Sequence, residues 1–271
     1  MKGFKNLVLG GSGMIGGHLC THLESLGENV INLDLKEGFD LRIDDLSSYQ
    51  DVDYVWFLAW DVGGSKYLQN KDNALELLNN NTLLCYRTFA FLQDSKLPFL
   101  FTSSQLAAPD NVYGITKLMG EQWTELLKGV TVKLWNVYGW EGPGERSHVI
   151  PDMILSSLEK GSIELYTSGD ESRQFFHVND CVKNLVEVRD NMQGIKELHL
   201  SNGQWISIAQ LAQKIGAKLS VPVNMGNSKG YNNLIDPNDT YKEFSFDIEL
   251  DEGLELVIKD AKRWISEKPA S

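Results

Sequence analysis

A tyrosine and a lysine four residues apart, Tyr113 and Lys117, are the residues of this sequence whose types and spacing most clearly suggest chemistry. On a helix, positions i and i+4 lie on one face, so the phenol and the ammonium would be neighbours. A tyrosine hydroxyl has a reference pKa of about 10 and needs nearby positive charge to act as a base near neutral pH. Lys117 could supply it, as could the positive end of a helix capped by Asn111. On its own such a pair is common on helix surfaces, so its meaning depends on the elements around it.

A glycine-rich turn near the start of the chain is the second informative feature. It follows an apolar run at residues 7–9 and precedes a helical pattern at residues 15–26. In a dinucleotide-binding turn, the first glycine permits the sharp bend, the second lets backbone amides approach a pyrophosphate, and the third lets helix and strand pack closely. The predicted cofactor contacts at this turn are Gly10, Gly13, Met14, Ile15 and Gly16.

An acidic residue, Asp34, ends the next strand-like run about 20 residues after the turn. A carboxylate there can accept hydrogen bonds from the hydroxyls of an adenosine ribose, and it repels a 2′-phosphate. No arginine stands beside it in the sequence, although Lys36 is near. The sequence therefore predicts NAD rather than NADP as the cofactor.

Strand-like and helical patterns alternate along the first half of the chain, which indicates right-handed crossovers and a parallel sheet. Strands are predicted at residues 7–9, 30–33, 54–58, 99–101 and 130–135, and helices at 15–26, 75–92, 112–127, 150–159, 206–215 and 254–265. The predicted fold class is α/β, a doubly wound parallel sheet of the Rossmann type with a small C-terminal substrate-binding lobe. The dinucleotide-binding domain is placed at residues 1–140, with 177–202 returning to it, and the lobe at 141–271. A Gly-, Asn- and Asp-rich loop is predicted at residues 224–239.

The overall charge narrows the class of partner. A net charge of −12 argues against a nucleic-acid or anionic membrane surface, which needs clustered lysine and arginine. Three well-separated cysteines without a CxxC spacing indicate a reducing compartment, so a cytoplasmic protein is expected. His18 and His22 share a helix face but lack a third ligand, so no metal site is predicted.

Further short motifs follow the glycine turn in a fixed order. They are Asp40-Leu41, Phe57-Leu58-Ala59, Thr102-Ser103-Ser104, Tyr113 with Lys117, Asn136-Val137-Tyr138-Gly139 and the stretch at residues 169–180. In this order they resemble the extended short-chain dehydrogenase/reductase family, specifically its NAD-dependent nucleotide-sugar epimerase/dehydratase branch. The resemblance covers nearly the whole chain, and the ordered combination is far more specific than any one motif.

The resemblance implies a role for each matching catalytic residue. Ser103 would donate a hydrogen bond to the reacting sugar oxygen, and Tyr113 would take the proton from the sugar hydroxyl while hydride passes to the nicotinamide. Lys117 would hold the nicotinamide ribose and lower the pKa of Tyr113. The further cofactor contacts that it implies are Asp40, Leu41, Leu58, Ala59, Trp60, Tyr113 and Lys117.

The substrate expected from the resemblance is a nucleotide sugar, and a homodimer is expected through the helices at 75–92 and 112–127. Arg173 matches an arginine on the nucleotide side of the substrate, where a guanidinium fork suits a diphosphate. The candidate substrate contacts are Gly63, Ser103, Ser104, Gln105, Asn136, Arg146, His148, Val149 and Arg173.

One departure from the family pattern narrows the choice of reaction type. Dehydratases of this branch place an acidic pair directly after the catalytic Ser or Thr, where this chain has Ser104 and Gln105. Neither is an effective general acid or base, so elimination of water is disfavoured. The sequence then predicts oxidation at C4 of the sugar, followed by epimerisation or by release of the keto sugar. A reductase of a 4-keto nucleotide sugar is the alternative, and a non-catalytic dinucleotide-sensing protein is a weaker one. The sequence does not identify which nucleotide or which sugar is bound.

Overall fold

A computed structural model describes residues 3–144, 146–191, 194–230 and 244–267. The strands in these ranges are β1 (Lys5–Leu9), β2 (Asn29–Leu33), β3 (Tyr54–Phe57), β4 (Phe99–Ser104), β5 (Val130–Leu134), β6 (Asn136–Tyr138), β7 (Ile163–Glu164), β8 (Ser172–His177), β9 (Glu197–Leu200), β10 (Trp205–Ser207) and β11 (Val223–Asn224). The α-helices are α1 (Met14–Ser25), α2 (Ser65–Gln69), α3 (Ala74–Ser95), α4 (Val112–Leu126), α5 (Val149–Lys160), α6 (Val178–Asn191), α7 (Ile208–Leu219) and α8 (Leu250–Glu267).

Six parallel strands form the central sheet, in the order β2-β1-β3-β4-β5-β9. The chain moves outward from β1 to β2 and then returns to the other side of β1 to form β3. The strand order therefore reverses at β1, and the crevice at the carboxyl ends of β1 and β3 is the place where open α/β sheets bind ligands. This topology confirms the predicted doubly wound parallel sheet.

Both faces of the sheet are covered, which explains why its strands read as continuous apolar runs. On one face, Trp56 and Leu100 pack with Leu19 of α1 and Leu185 of α6. On the other face, aromatic side chains of β3, β4 and α3 form a second core, in which the rings of Phe57, Phe89 and Phe101 lie 5.3 to 5.9 Å apart.

A smaller lobe is built from α5, α7 and α8 around a third core that contains Ile154, Leu211 and Leu254. Two small sheets, β10-β8-β6 and β11-β7, complete it. Helix α7 begins with a capping box, in which Ser207 and Gln210 satisfy each other's backbone amides. The chain enters the lobe from β5 of the central sheet through β6, which pairs with β8 in the three-stranded sheet.

The predicted elements agree with the structure to within a few residues at most ends. Strand β4 runs three residues further than predicted, to Ser104, and the predicted helix at 206–215 begins only at Ile208 because Trp205–Ser207 pairs with β8. Helix α6 packs on α1, and β9 pairs with β5, so this part of the chain rejoins the central sheet. Residues 231–239 of the predicted loop lie outside the described residues, while Asn224 belongs to β11.

Candidate functional site

The glycine turn joins β1 to α1 and is held in place by close backbone contacts. Gly10 has a φ of +92°, and a Cβ there would lie 2.7 Å from the backbone of Ala59. A Cβ on Gly16 would collide with the carbonyl oxygen of Gly10. Gly13 differs, because a Cβ there would meet only the Gly10 carbonyl oxygen, at 3.5 Å. Gly10 and Gly16 are thus required by the fold, while the space beside Gly13 is open.

This difference makes the glycine turn directly testable. Gly13→Ala is expected to leave the melting temperature nearly unchanged, since Gly13 has an ordinary extended conformation and its Cβ meets no close neighbour. The added methyl group would keep a pyrophosphate from the backbone, so affinity for NADH should fall by about tenfold or more. Gly16→Ala should instead lower the melting temperature. Calorimetric titration and thermal unfolding measure both quantities, and wild-type NADH affinity in Gly13→Ala would contradict a pyrophosphate site at this turn.

A cavity of about 1020 Å³ opens above the glycine turn. Its walls come from the turn and α1, the segment after β2, the segment after β3, and the first turn of the lobe. Of the residues predicted to bind cofactor or substrate, the cavity is lined by Gly10, Gly13, Met14, Ile15, Gly16, Asp34, Asp40, Leu41, Leu58, Ala59, Trp60, Arg146 and His148. The structure thus gathers the glycine turn and the acidic residues after β2 around one space that is large enough for a dinucleotide.

The end of the cavity beyond β2 is lined by carboxylates and one arginine. Asp34 accepts hydrogen bonds from the backbone amides of Ser12 (3.1 Å) and Lys36 (2.8 Å), which fixes it beside the glycine turn. Arg42 donates to both carboxylate oxygens of Asp40, at 2.9 and 2.8 Å. These hydrogen bonds lower the pKa of Asp40. The position of Asp34 is consistent with the predicted contact to a ribose.

The cavity is also lined by a buried carboxylate, Asp61, that the sequence reasoning missed. Its oxygens accept hydrogen bonds from the Tyr67 hydroxyl at 2.9 Å and from the Asn80 amide at 2.7 Å. Arg146 completes the group, with 2.8 Å between its guanidinium and Asp61 and 3.0 Å to the Tyr67 hydroxyl. Burial and the hydrogen bond to Asp61 raise the pKa of Tyr67 to about 12. Arg146, on the first turn of the lobe, is thereby fixed to the segment after β3.

A histidine and a glutamate form a further pair at the same turn of the lobe. The Nδ1 atom of His148 lies 2.9 Å from both carboxylate oxygens of Glu141, and both residues line the cavity. Burial alone would lower the pKa of His148, but the hydrogen bond and charge of Glu141 raise it above its usual range. An imidazole held in this way can carry a positive charge, or transfer a proton, close to neutral pH.

Tyr113 and Lys117 lie on the buried face of α4, and both side chains are covered. Asn111 caps the helix, as predicted, by accepting a hydrogen bond from the Gly114 amide at 2.8 Å. The Nζ atom of Lys117 donates to the Thr102 carbonyl oxygen at 2.7 Å and lies 4.3 Å from the centre of a Trp60 ring. Tyr113 and Lys117 are only 7% and 4% exposed, while Trp60 and Thr102 line the cavity. The indole of Trp60 therefore separates Lys117 from the cavity.

The pKa of Tyr113 is raised in the structure, whereas the sequence analysis expects Lys117 to lower it. Burial raises it to about 12, and a hydrogen bond from Ser104 lowers it only in part. Burial also lowers the pKa of Lys117 to about 7. The chain by itself thus favours a neutral phenol, and formation of the phenolate requires positive charge beyond that of Lys117.

The two serines at the end of β4 have different surroundings, and the catalytic role of Ser103 stays a prediction. The Ser103 hydroxyl donates to Glu121 at 2.5 Å in the protein interior, whereas Ser104 is the serine that acts to lower the pKa of Tyr113. Successive side chains of a strand point to opposite faces, and β4 places Ser104 on the face of Thr102, which lines the cavity. The hydroxyl beside the tyrosine therefore belongs to Ser104.

The remaining predicted substrate contacts lie outside the lining of this cavity. A Cβ on Gly63 would meet the Tyr67 ring, and Val149 is the first residue of α5. Asn136 begins β6 and donates to the Gln174 carbonyl oxygen at 3.2 Å. Gln105 follows β4, and Arg173 lies in β8 and donates to the Ser172 carbonyl oxygen at 2.7 Å. Contact of these five residues with a substrate stays a prediction.

Several cavity residues escaped the sequence reasoning. Arg42 directly follows the Asp40-Leu41 pair, so its position was a usable signal. Asp61, Glu141, Trp140 and Trp264 carry no local motif, and only the fold brings them to the cavity. Within the part of the chain that the structure describes, no cluster of three potential metal ligands occurs, and no helix is both long and apolar enough for a membrane span.

Sequence comparison adds a family to this geometry. A family model described as "NAD dependent epimerase/dehydratase family" matches residues 6–201. The chain is 26% identical over 231 residues to a Bacillus subtilis (strain 168) protein described as an uncharacterized UDP-glucose epimerase, across 68% of this chain and 72% of that protein. It is 25% identical over 275 residues to dTDP-4-dehydro-6-deoxy-D-allose reductase of Streptomyces bikiniensis, across 80% and 81% of the two chains.

Solved structures show the same fold over almost the whole length. An epimerase from Methanothermobacter thermautotrophicus superposes with a TM-score of 0.86 at 21% identity, covering 98% of this chain and 94% of that one. UDP-glucuronic acid 4-epimerase from Bacillus cereus, in complex with UDP-glucuronic acid and NAD, gives 0.83 at 22% identity and covers 96% and 100%. At these identities the likeness concerns the fold alone.

Proposed function

The chain belongs to the NAD-dependent epimerase/dehydratase family, and from this premise we propose that it is an enzyme that uses NAD to oxidise a nucleotide-activated sugar at C4. Return of the hydride to the other face of the same carbon would make the overall reaction an epimerisation. The observation that carries the proposal is a cavity that runs from the glycine turn to Trp60 and Thr102, the two residues that Lys117 contacts from the protein interior.

The residues around the glycine turn fit a dinucleotide. Open space beside Gly13 leaves room for a pyrophosphate at the start of α1, where the helix presents unpaired amides. Asp34 is placed to accept hydrogen bonds from a ribose, and Asp40 and Leu41 line the same end of the cavity. When bound, NAD supplies a hydride acceptor.

The chain's own residues would handle the proton of the sugar hydroxyl. Ser104 is the hydroxyl next to Tyr113, so it is placed to orient the reacting oxygen by a hydrogen bond. Tyr113 would take the proton from that oxygen as general base. Lys117, held against the Thr102 carbonyl oxygen, and the start of α4 would supply positive charge that favours the phenolate.

The first turn of the lobe would hold the sugar nucleotide. Arg146 and His148 line the cavity next to Asp61 and Glu141, which fix their orientation, and Glu141 favours the charged form of His148 by raising its pKa. A guanidinium held along one edge still has donors for phosphate oxygens. Arg173 is proposed as a further contact on the nucleotide side.

The residues that follow Ser104 bear on the type of reaction. With Ser104 as the catalytic hydroxyl, the next two positions are Gln105 and Leu106, and neither side chain can act as an acid or base. This supports oxidation and reduction over elimination of water. A second candidate is reduction of a 4-keto nucleotide sugar by the same residues in reverse, and it is favoured by relatives that are described as reductases.

Incubation with a panel of UDP-, GDP-, dTDP- and CDP-sugars tests the proposal. Purified protein with NAD should change at least one sugar at C4, detected by nuclear magnetic resonance of the product. Accumulation of NADH would indicate release of a keto sugar, and consumption of NADH with a 4-keto sugar would indicate the reductase. Absence of any turnover or of any thermal stabilisation across the panel would contradict the proposal.

We also propose a homodimer formed through α3 and α4, in the cytoplasm. Both helices expose apolar side chains, among them Leu83 and Tyr86 on α3 and Ile115 on α4. The thiols of the chain's three cysteines are all free, which supports a reducing compartment.

The proposed dimer predicts the effect of one substitution. Leu83→Glu would place a charge in the interface, so the variant should sediment as a monomer at concentrations at which the wild type is a dimer. Tyr166→Glu, which changes an exposed aromatic residue on the lobe, is the matched control and should not affect sedimentation. A dimer that persists in Leu83→Glu would rule out this pair of helices as the interface.

A further inference from the structure

Helix α4 carries a third ionisable residue on the same buried face as Tyr113 and Lys117. Glu121 is one helical turn beyond Lys117 and is only 7% exposed. A carboxylate is almost never buried unless it is paired, so its partners should reveal what it does.

The partners of Glu121 come from the strands beneath the active site. Its Oε1 atom accepts the hydrogen bond from Ser103 of β4, and its Oε2 atom lies 3.2 Å from Nζ of Lys133 on β5. Lys133 also reaches Glu197 of β9, at 2.9 Å. Lys133 therefore has two carboxylate partners, and only Glu121 lies next to the catalytic residues.

Glu121 is thus linked to the catalytic residues in two ways. Ser103 precedes Ser104, so a hydrogen bond that fixes Ser103 also fixes the end of the strand that carries the catalytic hydroxyl. Lys117 lies at i−4 on the same helix face, where side chains are neighbours, and the charge of Glu121 acts on its ammonium.

We propose that Glu121 is a positioning residue for the reaction: its carboxylate is the buried counter-charge of Lys117 and the anchor of the strand end that presents Ser104. This inference rests on the proposed function, because it assigns Glu121 a part in the same chemistry. Glu121 is not among the described residues that line the cavity, and it would act through Lys117 and Ser103.

The direction of the electrostatic effect follows from the surroundings of Lys117. Burial lowers the pKa of Lys117 to about 7, and the charge of Glu121 opposes that shift. Burial also raises the pKa of Glu121, while the hydrogen bond from Ser103 and the charge of Lys133 at 3.2 Å favour its carboxylate form. Loss of the carboxylate would therefore push the pKa of Lys117 further down, and the ammonium would be lost at a lower pH.

The other groups that face this pair are few in the described part of the chain. Around Lys117 they are the titratable groups of Tyr113 on α4 and Cys85 on α3, with the Thr102 carbonyl oxygen and the rings of Trp60 and Phe101. Around Glu121 they are Ser103, Lys133 and Glu197. Apart from Glu121, only the Cys85 thiol is an acidic group that acts on Lys117, and burial raises the pKa of that thiol to about 12.

A pair of carboxylate substitutions on either side of Lys133 tests the proposal. Glu121→Gln keeps the shape and removes the charge, and its activity relative to wild type should fall roughly tenfold near pH 8 but less than about twofold near pH 5.5. Glu197→Gln removes the other carboxylate from the same lysine and should leave this ratio close to one at both pH values. Glu121→Asp keeps the charge and should restore the wild-type pH profile, even if the rate itself is lower.

A direct titration of Lys117 separates this inference from the proposed function. Lysine side chains labelled with a stable isotope can be followed by nuclear magnetic resonance, and the signal of Lys117 is assigned by its loss in Lys117→Arg. Its pKa should fall by about one unit in Glu121→Gln and stay unchanged in Glu197→Gln.

The outcomes point to different conclusions. If the wild type turns over no nucleotide sugar but the pKa of Lys117 shifts as expected, the proposed function fails and the electrostatic link stands. A Lys117 pKa that is the same in Glu121→Gln and wild type overturns the inference, as does an activity ratio that does not vary with pH. Thermal unfolding of all three variants identifies a loss of activity that comes only from reduced stability.

Discussion

Tyr113→Phe is expected to lower kcat for the nucleotide sugar by a factor of about a hundred to ten thousand, the range found when a general base or acid is lost. The substitution removes only the hydroxyl, and the ring stays packed in the cluster with Tyr67 and Leu77. The phenol is the group placed next to Ser104, and its pKa of about 12 in the chain itself shows how strongly the site depends on added positive charge. Steady-state kinetics measures the loss, while a fluorescence titration should show nearly unchanged NADH affinity.

Tyr67→Phe is the matched control for this experiment. It removes another buried phenol hydroxyl from the same cluster, one that donates to Asp61 rather than to the reacting oxygen. Its main effect should be on KM, because Asp61 and Tyr67 hold Arg146. Equal losses of kcat in the two variants would attribute the effect to packing, and wild-type kcat in Tyr113→Phe would exclude the tyrosine as the base.

The protein as a whole is acidic, but its proposed ligands are anions, which the cavity must accept. A net charge of −12 repels a nucleotide sugar at long range, so binding depends on a few oriented cations close to the ligand. Both arginines that line the cavity are bonded to a carboxylate, Arg42 to Asp40 and Arg146 to Asp61, and His148 is hydrogen-bonded to Glu141. This pairing fixes the direction of the donors before a ligand arrives, and such preorganisation reduces the entropy lost on binding.

The glycine turn and the active-site helix were predictable because their signals are local. Gly16 is required by contacts within the strand-turn-helix unit itself, which the spacing of the glycines already expresses. Gly10 is required by its positive φ in the turn and also by the backbone of Ala59, which lies outside that unit. Asn111 is likewise a local cap at the start of α4. The order of such motifs along the chain was enough to predict the doubly wound sheet.

The choice between Ser103 and Ser104 as the catalytic hydroxyl depends on strand geometry that the motif does not contain. Side chains alternate between the two faces of a strand, so an error of one residue moves a hydroxyl from the cavity side to the interior. The motif placed Thr102, Ser103 and Ser104 at the end of β4 but did not say which of them faces the tyrosine.

Contacts between residues that are far apart in the chain, and the depth at which a side chain is buried, could not be predicted from the sequence. Asp61 and Arg146 are far apart in the chain and meet only because the first turn of the lobe lies against the segment after β3. The pKa of Tyr113 depends on how deeply the phenol is covered, and the sequence shows only that a lysine is one turn away. The paired residues Tyr113 and Lys117 were therefore found, while the direction in which the protein shifts the tyrosine was not.

Two adjacent serine substitutions separate the roles at the end of β4. Ser104→Ala should lower kcat/KM by about a hundredfold, equivalent to about 2.7 kcal/mol of lost transition-state stabilisation. Its hydroxyl is the one that lowers the pKa of Tyr113, and the methyl group that replaces it cannot orient the reacting oxygen. Ser103→Ala should lower kcat/KM clearly less than Ser104→Ala does, because the Ser103 hydroxyl meets Glu121 in the interior and affects the reaction only through the end of the strand. Its main effect should be a lower melting temperature, since Glu121 loses a hydrogen-bond donor at a buried position.

The contrast between the two variants is more informative than either value alone. Both remove one hydroxyl from neighbouring residues of one strand, so general damage to β4 would affect them alike. A larger kinetic loss in Ser103→Ala than in Ser104→Ala would mean that the strand end turns over when substrate binds, and Ser103 would then regain the role that the sequence motif suggested. Equal activity in Ser104→Ala and wild type would show that the tyrosine works without a neighbouring hydroxyl donor.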